Sequence, residues 1–152
     1  MTYEELLMEA DYNGLTTKEK DLLAYDGRIK GNRVAIRKTI ETDKEKACVL
    51  AEELGHYHTS YGSILDQGKT ENRKQELKAR MWAYDKMIGL EGIIKCFENQ
   101  TFSVYEAAEK LGVTEEFMLD ALEAYRSKYG TCTRYRNYII YFEPQLGILK
   151  RI

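Results

Sequence analysis

Apolar residues recur at spacings of three and four in two long stretches, which predicts two helices. The first covers residues 47–60, and its apolar positions are Val49, Leu50, Leu54 and Tyr57. The second covers about 72–88, and its apolar face carries Leu77, Met81, Tyr84 and Ile88. The residues between them, 61–72, are rich in turn formers and would connect the two helices.

Shorter elements are predicted before these helices. Thr2, with Glu5 three positions later, forms a capping-box pattern that opens a first helix, and Asn13-Gly14 ends it. Polar and apolar residues alternate over 33–37, after the two turn signals Asp26-Gly27 and Gly31-Asn32. This pattern is typical of a hairpin or of three short strands in one small sheet.

The last third of the chain has helical and then strand-like patterns. Ser103 and Thr114 are placed to cap two helices that a Gly-containing turn joins, which is similar to a helix-turn-helix. From Tyr135 onward the pattern alternates, with Pro144 in the turn between two predicted strands. We therefore expect a helical region followed by a C-terminal hairpin.

These elements predict a single α+β domain over residues 1–152, with a small antiparallel sheet packed on the two long helices. Residues 1–100 would form the core that carries the motifs, 101–130 the helix-turn-helix-like subregion, and 131–152 the hairpin. A chain of this length buries roughly two-thirds of the surface that its unfolded form exposes, which is enough for a real core.

The strongest chemical signal lies on the first long helix. Glu52 and His56 are four positions apart, so they project from the same helix face one turn from each other, and Glu53 lies beside them. Imidazole and carboxylate groups in this spacing are typical of a metal site. Glu53 and His56 also fit the Glu-x-x-His pattern of a di-iron bundle, but a second such motif would need a third histidine, and the chain has two.

Two motifs carry a resemblance to a known family. Residues 52–56 resemble the zincin motif H-E-x-x-H with Glu52 in place of the first histidine. Downstream, Glu76, Ala79 and Trp82-Ala83 resemble the E-x-x-A-N-x-F-A signature of the ImmA/IrrE metallopeptidases, with Arg80 in place of asparagine. The similarity extends over nearly the whole chain and implies a zincin-like metallopeptidase fold.

The resemblance also implies the roles of the site residues. It makes Glu53 the general base and His56 and Glu76 metal ligands, while Glu52 takes the place of the missing first ligand. The cofactor implied is one divalent ion, zinc by family resemblance. The second carboxylate would shift selectivity toward manganese or iron, because it adds negative charge and a hard oxygen donor.

Three further side chains bear on this site. His58 is two residues from His56, about 200 degrees around the helix, and so should point away. Cys48 lies on the Glu52 face but is expected to be a small buried apolar residue. Asp66 is a carboxylate in the connecting segment that could intrude on the site, although a turn aspartate is more often solvated.

Members of the family cleave a specific repressor that has a helix-turn-helix domain, and so derepress phage or mobile-element genes. The resemblance thus implies a repressor protein as partner. A catalytically silent relative that binds a partner without cutting it is the main alternative, and the Glu52 replacement favours it. A third alternative is a transcriptional regulator, which the acidic residues of the second C-terminal helix oppose: Glu115, Glu116, Asp120 and Glu123.

Two further expectations concern partners and location. The formal net charge of −2 gives no electrostatic footprint for nonspecific nucleic-acid binding, so we expect no direct contact with nucleic acid. No apolar run approaches the ~20 residues of a membrane span, and no signal-peptide pattern is visible, so we expect no membrane association and a cytoplasmic protein. Cys48, Cys96 and Cys132 are widely spaced, which fits reduced thiols.

A last expectation concerns substrate binding. A strand immediately before a zincin motif helix often borders the cleft and accepts an extended peptide by edge pairing. Val34–Arg37 is in this position. The alternative is an inner strand that is already paired on both sides.

Overall fold

A computed structural model describes residues 1–60, 69–101 and 103–152. Within them the chain forms two compact units, Met1–Met87 and Ile88–Ile152. The expectation of one domain over the whole chain stays a prediction. Asp66 and most of the connecting segment lie outside the described residues, so the prediction for Asp66 is not addressed.

The described residues of the first unit form three helices and a three-stranded sheet. Its elements are α1 (Tyr3–Tyr12), β1 (Thr16–Lys20), β2 (Gly27–Lys30), β3 (Arg33–Arg37), α2 (Asp43–Thr59) and α3 (Lys69–Met87). Thr2 caps α1 in a capping box with Glu5, as the sequence predicts, and Thr42 caps α2 through a 3.1 Å hydrogen bond from the Glu45 amide.

The sheet has the order β1-β3-β2. β2 pairs with β3 antiparallel, but β1 pairs with β3 parallel, so the sheet is mixed rather than antiparallel as predicted. The sequence pattern does not reveal β1 because its residues, TTKEK, are polar and mostly exposed. Val34 and Ile36 of β3 are buried in the core.

β3 is the central strand, and this corrects the proposal that Val34–Arg37 accepts a peptide at a sheet edge. Both of its edges are occupied, by β1 and by β2. The alternative of an inner strand is confirmed. The outer strands of the sheet are β1 and β2, and of these β2 lies at the cleft described below.

α2 and α3 form the most extensive helix pair of this unit. Gly55 of α2 lies directly against the backbone of Ala79 on α3, since a Cβ added at Gly55 would come within 2.9 Å of the Ala79 carbonyl carbon. Ala79 and Ala83 are fully buried, whereas Leu77, predicted on the apolar face, is 57% exposed. Small residues, rather than the large apolar ones, therefore set the contact face of α3.

The second unit contains three helices and an antiparallel sheet. Its elements are α4 (Gly89–Glu98), α5 (Val104–Leu111), α6 (Glu115–Tyr129), β4 (Cys132–Tyr135), β5 (Tyr138–Tyr141) and β6 (Gly147–Lys150). Ser103 and Thr114 cap α5 and α6 as predicted. The sequence predicts a terminal hairpin of two strands, but β4 adds a third strand to it, in the order β4-β5-β6.

The overall α+β class is confirmed by these elements. Among the helices that the structure describes, none combines the length and apolar character needed to cross a membrane.

Candidate active site

The candidate site begins on α2, where Glu52, Glu53 and His56 lie within one turn. All three line an open cleft of about 1160 Å³. The opposite wall is the segment 24–31, which contains β2 and the loop before it. Because α2 follows directly after the sheet in the chain, its motif face is held beside the edge strand.

Glu76 reaches the same cleft from α3. Its Oε2 lies 3.2 Å from His56 Nε2, and its Oε1 lies 3.2 Å from Arg80 Nε one turn further along the helix. The close backbone contact at Gly55 and Ala79 brings the two helices near enough for this pairing. The structure therefore brings together the two motifs that were separate in the sequence.

Glu53 has a strongly perturbed carboxyl group. Burial raises its pKa from 4.5 to about 7, and the neighbouring charges of Glu52 and then Glu76 add to the rise. A hydrogen bond from the Ile29 amide of β2 acts in the opposite direction. A carboxyl group with this pKa can both accept and release a proton near neutral pH, which is the requirement for a general base that later acts as an acid.

Gly27 explains how β2 can approach Glu53. A Cβ at this position would lie 2.6 Å from Val49 Cγ1 and 3.1 Å from Glu53 Cγ, so a larger residue would push strand and helix apart. Sequence reasoning recognised Gly27 only as a turn residue. It missed the loop residue Tyr25 and the role of the Ile29 amide, since backbone donors leave no signal in a residue pattern.

His58 and Cys48 do not line the cleft. The His58 ring stacks on Trp82 with centroids 4.7 Å apart and an interplanar angle of 18°. Its Nε2 is buried and has no hydrogen-bond partner among the described residues. Cys48 is buried, as expected.

The donors fit a divalent ion in type, because imidazole nitrogen and carboxylate oxygen are ligands of zinc, manganese and iron. The 3.2 Å between His56 Nε2 and Glu76 Oε2 is also close to the separation of about 3.4 Å expected for two ligands of one tetrahedral ion. Across residues 1–60, 69–101 and 103–152, however, no three His, Cys, Asp or Glu side chains lie close enough together to hold an ion. Ligation by Glu52, His56 and Glu76 together would thus need a rearrangement of their side chains.

A comparison with protein families identifies the chain's relatives. The model of the peptidase family described as the IrrE N-terminal-like domain matches residues 7–123, which is most of the chain. The chain belongs to the ImmA/IrrE family. The match includes α2 and α3 with all four candidate site residues, and it ends within α6, before the second sheet. No curated protein and no solved structure matches the chain.

Family membership makes this a metallopeptidase-like protein. The two motifs on which the sequence resemblance rests lie inside the matched region, and the structure places them on facing helices. The family membership predicted from them is confirmed.

Proposed function

We propose that this protein is a metal-dependent endopeptidase that cleaves a specific helix-turn-helix repressor and so derepresses phage or mobile-element genes. The observation that carries the proposal is the position of Glu53. Its carboxyl group, with a pKa near 7, lies in an open cleft beside the His56–Glu76 pair and against an edge strand.

The chain's own groups can supply the acid–base chemistry of peptide hydrolysis. Glu52, His56 and Glu76 are the residues that would hold a divalent ion, which when bound activates water and polarises the peptide carbonyl. Glu53 takes the proton of the attacking water on its carboxylate and passes it to the leaving amine.

β2 supports the choice of a peptide substrate. It is an edge strand, and it lines the cleft along Gly27–Lys30. An extended peptide can add to such an edge through main-chain hydrogen bonds, which leaves its side chains to be read by the cleft. The exposed Tyr25 in the loop before β2 lies at the same wall.

The first experiment measures bound metal by elemental mass spectrometry on protein purified without a histidine tag. We expect near one equivalent in the parent protein and loss of binding in Glu52→Gln, His56→Ala and Glu76→Gln. Glu41→Gln, an exposed carboxylate at the start of α2, is the matched control and should keep the metal. A parent that stays empty after incubation with zinc, manganese and iron(II) would contradict the proposal.

The second experiment incubates the metal-loaded protein with a candidate repressor encoded near its gene and follows the products by mass spectrometry. Cleavage should disappear in Glu53→Gln, while metal content stays unchanged, because Glu53 handles the proton rather than the ion. Cleavage that persists in Glu53→Gln would show that another residue is the base.

A second function is favoured by one observation, the lack of a three-ligand group in the described part of the chain. With Glu52 in place of the first histidine, the protein would be a silent relative that binds a repressor without cutting it. In that case the repressor would bind equally well to the parent and to Glu53→Gln, with no product from either.

A further inference from the structure

One face of the first sheet is strongly basic. Side chains alternate along each strand, so the residues opposite to the buried Val34 and Ile36 share the other face. Register places Lys18 and Arg28 on either side of Ala35, and Thr16 and Lys30 on either side of Arg33. The five exposed cations of this surface, called the basic face below, are Lys18, Lys20, Arg28, Lys30 and Arg33.

These charges are not neutralised within the part of the chain that the structure describes. None of the five forms an ion pair there, since the nearby carboxylates are engaged elsewhere: Asp21 with Lys38, Asp26 with Arg37, and Glu19 with Lys46. The groove over the face has a volume of about 700 Å³, and the described residues that line it include all five cations and no carboxylate. A chain with a net charge of −2 thus concentrates positive charge on one sheet face.

We propose that the basic face binds the phosphate backbone of double-stranded nucleic acid, without reading its sequence. Interfaces with nucleic acid are polar and strongly positive, and Lys and Arg supply most of their phosphate contacts. This activity goes beyond the proposed peptidase function and does not depend on it.

The lining of the groove distinguishes this ligand from other polyanions. A protein partner would need an apolar anchor, and lysine is depleted in protein interfaces. Among the described residues that line the groove, the apolar ones are Val34 and Ala35. Single-stranded nucleic acid would be held by stacking on aromatic rings, and the described residues that line the groove include no aromatic one.

The basic face adjoins the candidate active site. Arg28 and Lys30 of β2 line both the groove and the cleft. A duplex bound on the face would therefore lie next to the peptidase cleft, which would favour the cleavage of proteins that are themselves bound to nucleic acid.

The test measures binding of the full-length protein to a fluorescein-labelled DNA duplex of mixed sequence by fluorescence anisotropy, at salt concentrations between about 50 and 200 mM. Five phosphate contacts at about 0.9 each give an expected slope of log K against log salt near −4.5. The double variant Lys18→Gln/Arg33→Gln removes two contacts, so its slope should fall to about −2.7.

The matched control is Lys74→Gln/Lys78→Gln, which removes the same two charges from exposed positions of α3. It should keep the parent's slope. No binding at low salt, or equal losses in the two double variants, would overturn the proposal. Binding to phosphatidylserine vesicles that outcompetes the duplex would instead assign the face to a lipid surface, and would overturn it as well.

Discussion

At the scale of single residues, Glu53 links the stability of the protein to pH. Its pKa is 4.5 in the unfolded chain and about 7 in the folded one, so the folded state binds the proton more tightly. The stabilisation is fully present below pH 4.5 and is lost as the pH rises through 7. The difference of about 2.5 pKa units corresponds to at most about 3 kcal/mol in the free energy of unfolding.

We therefore expect the metal-free parent to be less stable at pH 8 than at pH 5, and Glu53→Gln to lack this part of the pH dependence. Urea unfolding in the presence of EDTA at the two pH values measures both. An identical pH dependence in parent and variant would show that Glu53 is not held in this environment.

Gly55 is a second residue whose effect is local. Gly55→Ala should destabilise the protein by about 3 kcal/mol, at the upper end of overpacking costs, because its Cβ would press on the Ala79 backbone rather than on a movable side chain. Gly147→Ala is the control, since apart from its chain neighbours no described residue has a heavy atom within 4 Å of the added Cβ. Its free energy of unfolding should change by less than about 0.5 kcal/mol.

The candidate site illustrates what residue spacing can predict. Helical spacing alone predicts that Glu52, Glu53 and His56 lie together on α2. The structure agrees, since all three line the same cleft. The meeting of Glu76 with His56 depends on how two helices pack, and spacing could not give it; only the resemblance to a family pointed to it. The roles of these four residues as base and ligands stay predictions until the metal is measured.

At the scale of elements, strands were harder to predict than helices. The capped helices were visible because a capping residue and helical periodicity coincide, as at Thr2, Ser103 and Thr114. β1 has no apolar alternation, and its parallel pairing with β3 is set by the chain path rather than by local turns. Because β1 was not predicted, β3 was wrongly expected to be an edge strand.

Thr42 allows a test of how much one cap contributes to α2. Thr42→Ala removes the acceptor for the Glu45 amide and should lower the free energy of unfolding by about 1 kcal/mol. Thr42→Ser keeps an oxygen at the same place and should stay close to the parent. If both variants lost the same stability in urea unfolding, the hydrogen bond would not be the cause.

At the scale of the whole molecule, a bound ion should stabilise the fold by mass action. At a metal concentration 100 times the dissociation constant, the free energy of unfolding should rise by about 2.7 kcal/mol, and chelation should reverse the rise. Differential scanning calorimetry with and without metal measures it.

The two histidines give a matched pair for this measurement. His56→Ala should abolish the metal-dependent rise in the free energy of unfolding. His58→Ala should keep it, even if the loss of stacking on Trp82 lowers the baseline stability. An increment that survives in His56→Ala would remove that residue from the ligand set.

The net charge of the whole chain does not show how its charges are distributed over the surface. The balanced composition predicts no affinity for nucleic acid, yet the pairing of β1 and β2 on either side of β3 gathers on one face five cations that form no ion pair with any described residue. A count of charges could not reveal this separation, because it arises from the sheet register.

Trp82 gives the chain an optical probe of its own. It is the single tryptophan, and in the folded state an imidazole lies against its ring while the Lys86 ammonium lies 5.9 Å from the ring centre. When α2 and α3 separate, the His58 imidazole of α2 is lost from the ring and the emission should shift to the red. Under selective excitation, fluorescence would thus report on the Met1–Met87 unit alone, so that its unfolding can be followed without a label while circular dichroism follows the helices of both units.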